Sequence, residues 1–191
     1  TQKIRHICDK SNLKLVRYLK KNLILTGMMG VGKSTIGKIL AKKLKFKFLD
    51  IDKIIEMKEK FTIKHIFESK GENYFRKIEK KITLDQIKKN NTVVALGGGA
   101  FLDSSIRKEV KNTCISFWLD LNIESLILRL KNAKKRPLLD ENNFEDSINK
   151  IYASRKKIYN EADFKIKCNS LDKSEVVEKI INLYENTRKK I

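Results

Sequence analysis

The residues that point most directly to chemistry form a glycine-rich turn, Gly27-Met28-Met29-Gly30-Val31-Gly32-Lys33-Ser34, called the phosphate loop below. It follows the apolar run Leu23-Ile24-Leu25 and leads into a helical stretch. The spacing G-x-x-x-x-G-K-[ST] places backbone N–H groups around phosphates at a helix N-terminus, where the helix dipole favours negative charge. Lys33 is then placed to reach the β- and γ-phosphates, and the Ser34 hydroxyl to ligate Mg²⁺. This context favours phosphate binding over a purely structural turn.

Two further motifs follow the next two predicted strands. Asp50-Ile51-Asp52 follows the second strand and Gly97-Gly98-Gly99, the glycine turn, follows the third. On an extended segment the two aspartates point the same way, so that one can hold Mg²⁺ or its water and the other a substrate hydroxyl. Asp52 as a helix N-cap is the alternative, and the glycines equally fit a loose turn. Because ligands bind beyond the carboxyl ends of parallel strands, we expect all three motifs to converge on one site.

Arginine is rare in this chain, which makes each one a candidate for a specific contact. Arg76 and Glu79 lie three residues apart in a predicted helix and can pair, although a solvated ion pair explains that spacing as well. The planar guanidinium suits a bidentate carboxylate as lysine does not. The same argument applies to Arg129, Arg136 and Arg155.

Short apolar runs alternate with longer helical stretches, which is typical of a parallel α/β sheet in one domain of this length. The polar stretch around Pro137, residues 131–146, is the expected position of a lid. The predicted strands span residues 23–26, 47–49, 92–96, 114–119 and 164–168. The predicted helices span residues 34–44, 52–69 with a break near Phe61, 71–89, 103–110, 122–131, 144–160 and 173–187.

The composition excludes several classes of protein. The net charge of +20 comes mainly from scattered lysines, which we interpret as a solvated surface and not a nucleic-acid site. The cysteines, Cys8, Cys114 and Cys168, are widely spaced, and no metal-ligand spacing involves the two histidines. No apolar run is long enough to cross a membrane and no signal-type segment begins the chain, so we expect a cytoplasmic protein with reduced thiols.

Residues 1–21 carry a strong basic excess, with apolar residues spaced loosely as on one helix face. We expect an appended basic helix. The pattern leaves open whether its apolar side packs on the domain that follows or binds a partner.

Six segments together resemble the shikimate kinase family in type, order and separation. The resemblance covers residues 22–185 and leaves out residues 1–21. The segments are the phosphate loop, Asp50 to Asp52, Phe67 to Glu79, Gly97 to Gly99, Arg136 to Leu139, and Arg155 to Ala162. The resemblance implies the fold of P-loop nucleoside-monophosphate kinases, a three-layer αβα domain with a five-stranded parallel sheet over residues 22–188. We expect a monomer. It also implies transfer of the γ-phosphoryl group of ATP to the 3-hydroxyl of shikimate, a step of chorismate and aromatic amino acid biosynthesis.

On the ATP side, the resemblance implies that Lys33 and Arg136 act in catalysis, with Arg136 closing over the phosphates from the lid. Arg129 stacks against adenine, and Mg²⁺ is bound by Ser34 and, through water, by Asp50. The implied ATP-binding residues are Gly30, Val31, Gly32, Lys33, Ser34, Thr35, Arg129 and Arg136.

On the acceptor side, the resemblance implies binding helices over residues 52–80. Asp52 would hold the ring hydroxyls and orient or deprotonate the attacking oxygen, and Arg76 and Arg155 would clamp the carboxylate. The implied substrate-binding residues are Asp52, Arg76, Glu79, Gly98, Gly99 and Arg155.

Two other functions remain compatible with the phosphate loop. A gluconate-type sugar-acid kinase would share that loop but should lack the pair Arg76 and Arg155. A ligand-sensing module without turnover is the second, and retention of Lys33, Asp52 and Arg136 argues against it.

Overall fold

Five parallel strands form the centre of a computed structural model that describes residues 22–131, 139 and 143–189 of the 191-residue chain. The fold is the predicted α/β class, with the strands joined by helices. In chain order, the elements are β1 (Asn22–Thr26), α1 (Lys33–Leu44), β2 (Lys47–Asp50), α2 (Ile51–Glu59), α3 (Ile63–Ile87), β3 (Thr92–Ala95), a 3₁₀ turn (Ala100–Leu102), α4 (Ser104–Thr113), β4 (Cys114–Asp120), α5 (Ile123–Lys131), α6 (Phe144–Tyr159), β5 (Phe164–Lys167) and α7 (Lys173–Lys189).

The strand order β2-β3-β1-β4-β5 places β1 at the centre of the sheet. Leu23 of β1 pairs with Val93 of β3 and with Ile115 of β4. The three inner strands are almost completely buried, because a parallel sheet covered by helices on both faces needs apolar residues throughout. The edge strands β2 and β5 are partly exposed.

Helices cover the sheet in the predicted three-layer arrangement. Helices α1 and α7 pack together, as do α3 and α4 in a second group and α5 and α6 in a third. The core is made of the inner strands and the apolar sides of these helices, with Trp118 and Tyr159 among its largest fully buried side chains. This packing fixes the carboxyl ends of β1, β2 and β3 relative to one another.

The connections that follow β1 and β3 run in opposite directions across the sheet. The connection after β1 leads to β2, toward one edge of the sheet, whereas the connection after β3 leads to β4, toward the other edge. Adjacent strands with divergent connections leave a crevice at their carboxyl ends. The phosphate loop and the glycine turn border that crevice.

The start of α2 differs from the sequence prediction, whereas the predicted break after it is present. Helix α2 begins at Ile51, so Asp50 is its N-cap and accepts a hydrogen bond from the Lys53 backbone N–H at 3.3 Å. The predicted extended segment holding both aspartates is therefore wrong, and so is the alternative that made Asp52 the cap, because the Asp50 carboxylate already satisfies the free N–H of the first turn. The break near Phe61 is confirmed, since α2 ends at Glu59 and α3 begins at Ile63.

Several predictions fall on residues outside the described ranges. These include the basic extension 1–21 with Cys8 and His6, and most of the lid with Arg136 and Pro137. Among the described residues, Cys114 and Cys168 are buried and form no disulfide. Within residues 22–131 and 143–189, no helix is both long enough and apolar enough to span a membrane.

Candidate active site

The phosphate loop leaves β1 at Thr26 and enters α1 at Lys33. Gly32 is the N-cap of α1 with φ of 104°, a left-handed conformation that side chains with a Cβ rarely adopt. A Cβ on Gly27 would meet the carbonyl oxygen of Leu119 at 2.5 Å. The Lys33 ammonium donates to the carbonyls of Gly27 and Met28 at 2.8 and 2.9 Å. The loop is therefore wrapped around its own lysine, at a helix N-terminus that favours anions.

Ser34 and Asp50 meet beside this loop. The Ser34 hydroxyl donates to Asp50 Oδ2 at 2.6 Å, which joins the first turn of α1 to the end of β2. A hydroxyl and a carboxylate oxygen are thus held together next to the place where phosphates would bind. Oxygen ligands of this kind are those that Mg²⁺ prefers.

Arg76 is held from two sides by carboxylates of its own helix. Its Nη1 donates to Glu79 Oε2 at 2.6 Å, and its Nε and Nη2 donate to Glu72 Oε1 at 3.1 and 2.9 Å. Partial burial lowers the pKa of the guanidinium, but Glu79 and Glu72 outweigh that effect and raise it. The guanidinium lies against Gly99, where a Cβ would collide with it. The predicted pairing of Arg76 with Glu79 is therefore present, and the guanidinium keeps a fixed direction.

Glu79 is a buried carboxylate, only 2% exposed. Its Oε1 atom has no hydrogen-bond partner within the described part of the chain. Burial, together with the negative charge of Asp52, raises the pKa of Glu79 to about 7 despite the attraction of Arg76 and Arg155. A Cβ on Gly97 would fall 2.7 Å from Asp52 Oδ1 and closer still to Glu79 Oε1. Only glycine leaves room for both carboxylates at this point.

Arg155 enters the same region from α6. It is 7% exposed, and its Nη1 donates to the carbonyl of Gly98 at 3.1 Å. The hydroxyl of Tyr159, one helical turn later, donates to the same carbonyl. Burial raises the pKa of Tyr159, so the phenol stays protonated and remains a donor.

These groups surround one cleft, called the arginine cleft below. It adjoins the phosphate loop through Met29. Its walls combine an apolar side with two guanidinium groups and two carboxylates, so it fits a small polar acid. The lining residues are Met29, Asp52, Ile63, Phe67, Phe75, Arg76, Glu79, Gly98, Gly99 and Arg155.

Comparison with known proteins decides the family. The sequence model of shikimate kinase matches residues 29–185. The chain belongs to the shikimate kinase family. That membership makes it an ATP-dependent phosphotransferase that acts on a hydroxyl group, as the sequence predicted.

Shikimate kinases from two bacteria are similar to this chain over most of its length. Those of Sulfurihydrogenibium sp. strain YO3AOP1 and Persephonella marina are each 42% identical over 161 residues. These residues are 84% of this chain and 96% and 97% of the two relatives. A solved structure of the shikimate kinase from Acinetobacter baumannii, in complex with shikimate, superposes with a TM-score of 0.85 at 32% identity and covers 92% of this chain and 98% of that one.

The structure brings most of the predicted site residues of this shikimate kinase family member together. Those predicted for the acceptor all line the arginine cleft: Asp52, Arg76, Glu79, Gly98, Gly99 and Arg155. Those predicted for the phosphates lie in the phosphate loop and the first turn of α1, where Thr35 is exposed and Val31 is buried. Arg129 lies across that loop, with its Nη1 donating to the Val31 carbonyl at 3.3 Å. Arg136 is outside the described residues.

Sequence reasoning missed the apolar wall of the cleft and the contact of Tyr159. Phe67 and Phe75 pack with ring centroids 4.7 Å apart and line the cleft. Both lie in the segment Phe67 to Glu79, in which the charged residues drew attention. Tyr159 follows Arg155 by four residues, a spacing that places both side chains on one face of a helix. That spacing was the available signal.

Proposed function

We propose that this member of the shikimate kinase family transfers the γ-phosphoryl group of ATP to the 3-hydroxyl of shikimate, giving ADP and shikimate 3-phosphate. The observation that carries the proposal is the presence of Arg76, Arg155 and Asp52 around one cleft beside the phosphate loop. A hydroxylated ring acid needs cationic forks for its carboxylate and an acceptor for its hydroxyls. The arginine cleft supplies both.

The carboxylate of shikimate would be bound by Arg76 and Arg155. Charge-assisted contacts to guanidinium are stronger than neutral hydrogen bonds, and two forks also fix the orientation of the ring. Gly98 and Gly99 let the ligand lie directly against the backbone, because no Cβ stands in the way. The buried Glu79 holds Arg76 in position through the 2.6 Å contact.

Asp52 is the group that would act on the attacking hydroxyl. It lies in the first turn of α2, and its carboxylate lines the cleft beside Glu79 and the glycine turn. A carboxylate in this position can orient the hydroxyl and accept its proton as the bond to phosphorus forms. Phosphoryl transfer needs little more from such a residue than correct placement.

ATP would be bound by the phosphate loop and the first turn of α1, through residues 30–35. Lys33 would exchange its loop carbonyls for the β- and γ-phosphates and stabilise the charge that develops during transfer. Arg129, next to Val31, would pack against adenine, and Arg136 would close over the phosphates from the lid.

Mg²⁺ fits the oxygens of Ser34 and Asp50, which lie 2.6 Å apart beside the loop. The described residues contain no cluster of three or more His, Cys, Asp or Glu that could hold a metal. Kinases do not require such a cluster, since Mg²⁺ is bound by one or two side chains together with substrate phosphates and water. When bound, the ion would neutralise phosphate charge, with Ser34 as a ligand and Asp50 acting through water.

We further infer that the enzyme works as a cytoplasmic monomer, without a nucleic-acid or membrane partner. The scattered distribution of its lysines supports the absence of a nucleic-acid partner. Sedimentation at micromolar concentration would test the monomer, because a stable dimer would appear at twice the mass of 22.3 kDa.

The decisive assay is release of ADP with shikimate, with gluconate or without any acceptor. We expect turnover that depends on shikimate alone, and equal rates with all three additions would contradict the proposal. Lys33→Met should abolish turnover because the charge at the phosphates is lost. Lys38→Met, an exposed lysine of the same helix, is the matched control and should retain the rate.

A further inference from the structure

The carbonyl of Gly98 receives two donors from the same helix. One is Arg155 Nη1, at 3.1 Å, and the other is the hydroxyl of Tyr159. Tyr159 has no exposed surface, and its ring lies 6.0 Å from that of Trp118. A buried phenol needs a hydrogen-bond partner, and here that partner is a backbone carbonyl in the wall of the arginine cleft.

Backbone hydrogen bonds hold the two ends of the glycine turn, from the Ala100 N–H to the Gly97 carbonyl at 3.1 Å and from the Leu102 N–H to the Gly99 carbonyl at 3.0 Å, and the Gly98 carbonyl between them depends on side-chain donors. Three consecutive glycines have no side chains to pack, and glycine loses more conformational freedom on ordering than any other residue. Gly98 also lies against the phosphate loop, since a Cβ at this position would be 3.4 Å from the Met29 backbone nitrogen. A fixed carbonyl at Gly98 therefore sets the turn relative to both binding regions.

The two donors to the Gly98 carbonyl differ in charge and in position relative to the cleft. Arg155 lines the cleft and carries the charge that a carboxylate attracts. Tyr159 is uncharged and lies behind the turn, outside the lining of the cleft. When the Arg155 guanidinium turns toward a ligand, the Tyr159 hydroxyl can still hold the carbonyl.

We propose that Tyr159 is a positioning residue for recognition of the carboxylate: its hydroxyl holds the Gly98 carbonyl and so keeps the glycine turn and Arg155 in their binding geometry. The assignment rests on the proposed function, because it takes the carboxylate of shikimate as the ligand of Arg155. Tyr159 itself touches neither substrate. Its effect passes through the Gly98 carbonyl and through the Arg155 guanidinium, with which the phenol also interacts.

The test is Tyr159→Phe, which removes only the hydroxyl, with Tyr152→Phe as the control. Tyr152 lies on the same helix and donates to Asp120 Oδ1 at 2.9 Å, away from the arginine cleft. Loss of one neutral hydrogen bond predicts a rise of about 2- to 10-fold in KM for shikimate in Tyr159→Phe. The KM for ATP and kcat should stay within about two-fold of the unsubstituted enzyme, as should all constants of Tyr152→Phe. Reversible partial unfolding would raise the apparent KM for both substrates by the same factor, so an unchanged KM for ATP excludes that explanation.

Methyl shikimate, the ester without the negative charge, separates recognition of the carboxylate from general loosening of the cleft. In calorimetric titrations, Tyr159→Phe should lower the affinity for shikimate by the same factor by which KM rises. The affinity for the ester should stay unchanged. Equal loss for both ligands, or a KM for shikimate that does not change, overturns the role of Tyr159. If the unsubstituted protein shows no shikimate-dependent turnover, the proposed function itself fails.

Discussion

At the scale of single residues, the candidate site is organised before any ligand arrives. Arg76 is fixed by Glu79 and Glu72, and Arg155 by the Gly98 carbonyl. Side chains that are already held lose less conformational entropy on binding, which leaves more of the interaction energy for affinity. The buried charge of Glu79 is part of this arrangement, although its burial is costly.

Replacing Arg76 with lysine keeps the positive charge and removes the planar guanidinium that can bind a carboxylate through two N–H groups. We expect KM for shikimate to rise by an amount equivalent to about 1–3 kcal/mol, because one donor geometry is lost and Glu79 keeps a poorer partner. Steady-state kinetics with each substrate varied in turn would measure this. The KM for ATP in the same variant is the internal control, and an unchanged dependence on shikimate would reject the clamp.

Glu79 should make the stability of the protein depend on pH. Its pKa is about 7 in the folded chain and 4.5 in the reference state, so between these values the folded state binds more protons than the unfolded one. The free energy of unfolding therefore falls as pH rises from about 4.5 to 7, by up to about 3 kcal/mol, and the loss is complete above pH 7.

Urea denaturation of Glu79→Gln at several pH values would isolate this contribution. The variant should lack the decline, so its stability relative to the unsubstituted protein should increase between about pH 5 and 7. Glu72→Gln removes the exposed partner of Arg76 but retains Glu79, and it should keep the original slope. Parallel profiles for the unsubstituted protein and Glu79→Gln would show that Glu79 does not titrate in this range.

At the scale of elements, the arginine cleft depends on how α3 is bent. The helix is interrupted at Gly71, which has φ of 79° and ψ of 168°. Residues 63–70 form the segment that carries Ile63 and Phe67 to the cleft. Glu59 of α2 accepts hydrogen bonds from Lys70 of this segment and from Tyr74 beyond the bend, each at 2.9 Å. The bend and this contact together place the apolar wall opposite Arg155.

Gly71→Ala tests the bend. A Cβ at Gly71 meets nothing within 4 Å, so its cost is backbone strain alone. We expect about 1–3 kcal/mol of destabilisation in urea denaturation, since this conformation is essentially restricted to glycine. Asn73→Ala, at an exposed helical position nearby, should change stability by less than about 0.5 kcal/mol. Equal effects of the two substitutions would mean that the bend carries no strain.

At the scale of the whole molecule, the sheet topology brings the two substrates together. The phosphate loop follows β1 and the glycine turn follows β3, and these strands are neighbours with divergent connections. A nucleotide and a small acid bound beyond these two strand ends lie side by side. In-line transfer requires this adjacency of donor and acceptor.

Residues 22–188 should be sufficient for the chemistry. All the described site residues lie in this range, and β1 begins at Asn22. We therefore predict that deletion of residues 1–21 leaves both KM values unchanged. A lower melting temperature alone would indicate that the segment packs on the domain, whereas a changed KM for either substrate would contradict the prediction.

The sequence by itself determined the fold class, the positions of the strands and helices, and the loops that carry the chemistry. These features depend on local patterns: apolar runs, glycine spacing, and the periodicity of the helices. The first turn of α2 was placed incorrectly, because the competition between Asp50 and Asp52 for the cap position depends on where β2 ends.

Only the tertiary structure decided the strand order, the burial of Glu79, and the meeting of Tyr159 with Gly98. Gly98 and Tyr159 are 61 residues apart. Contacts of this kind are made by packing between elements, and the sequence spacing within one element does not specify them. The pKa of Glu79 follows from the same packing, because the solvation of a carboxylate depends on everything that surrounds it in space.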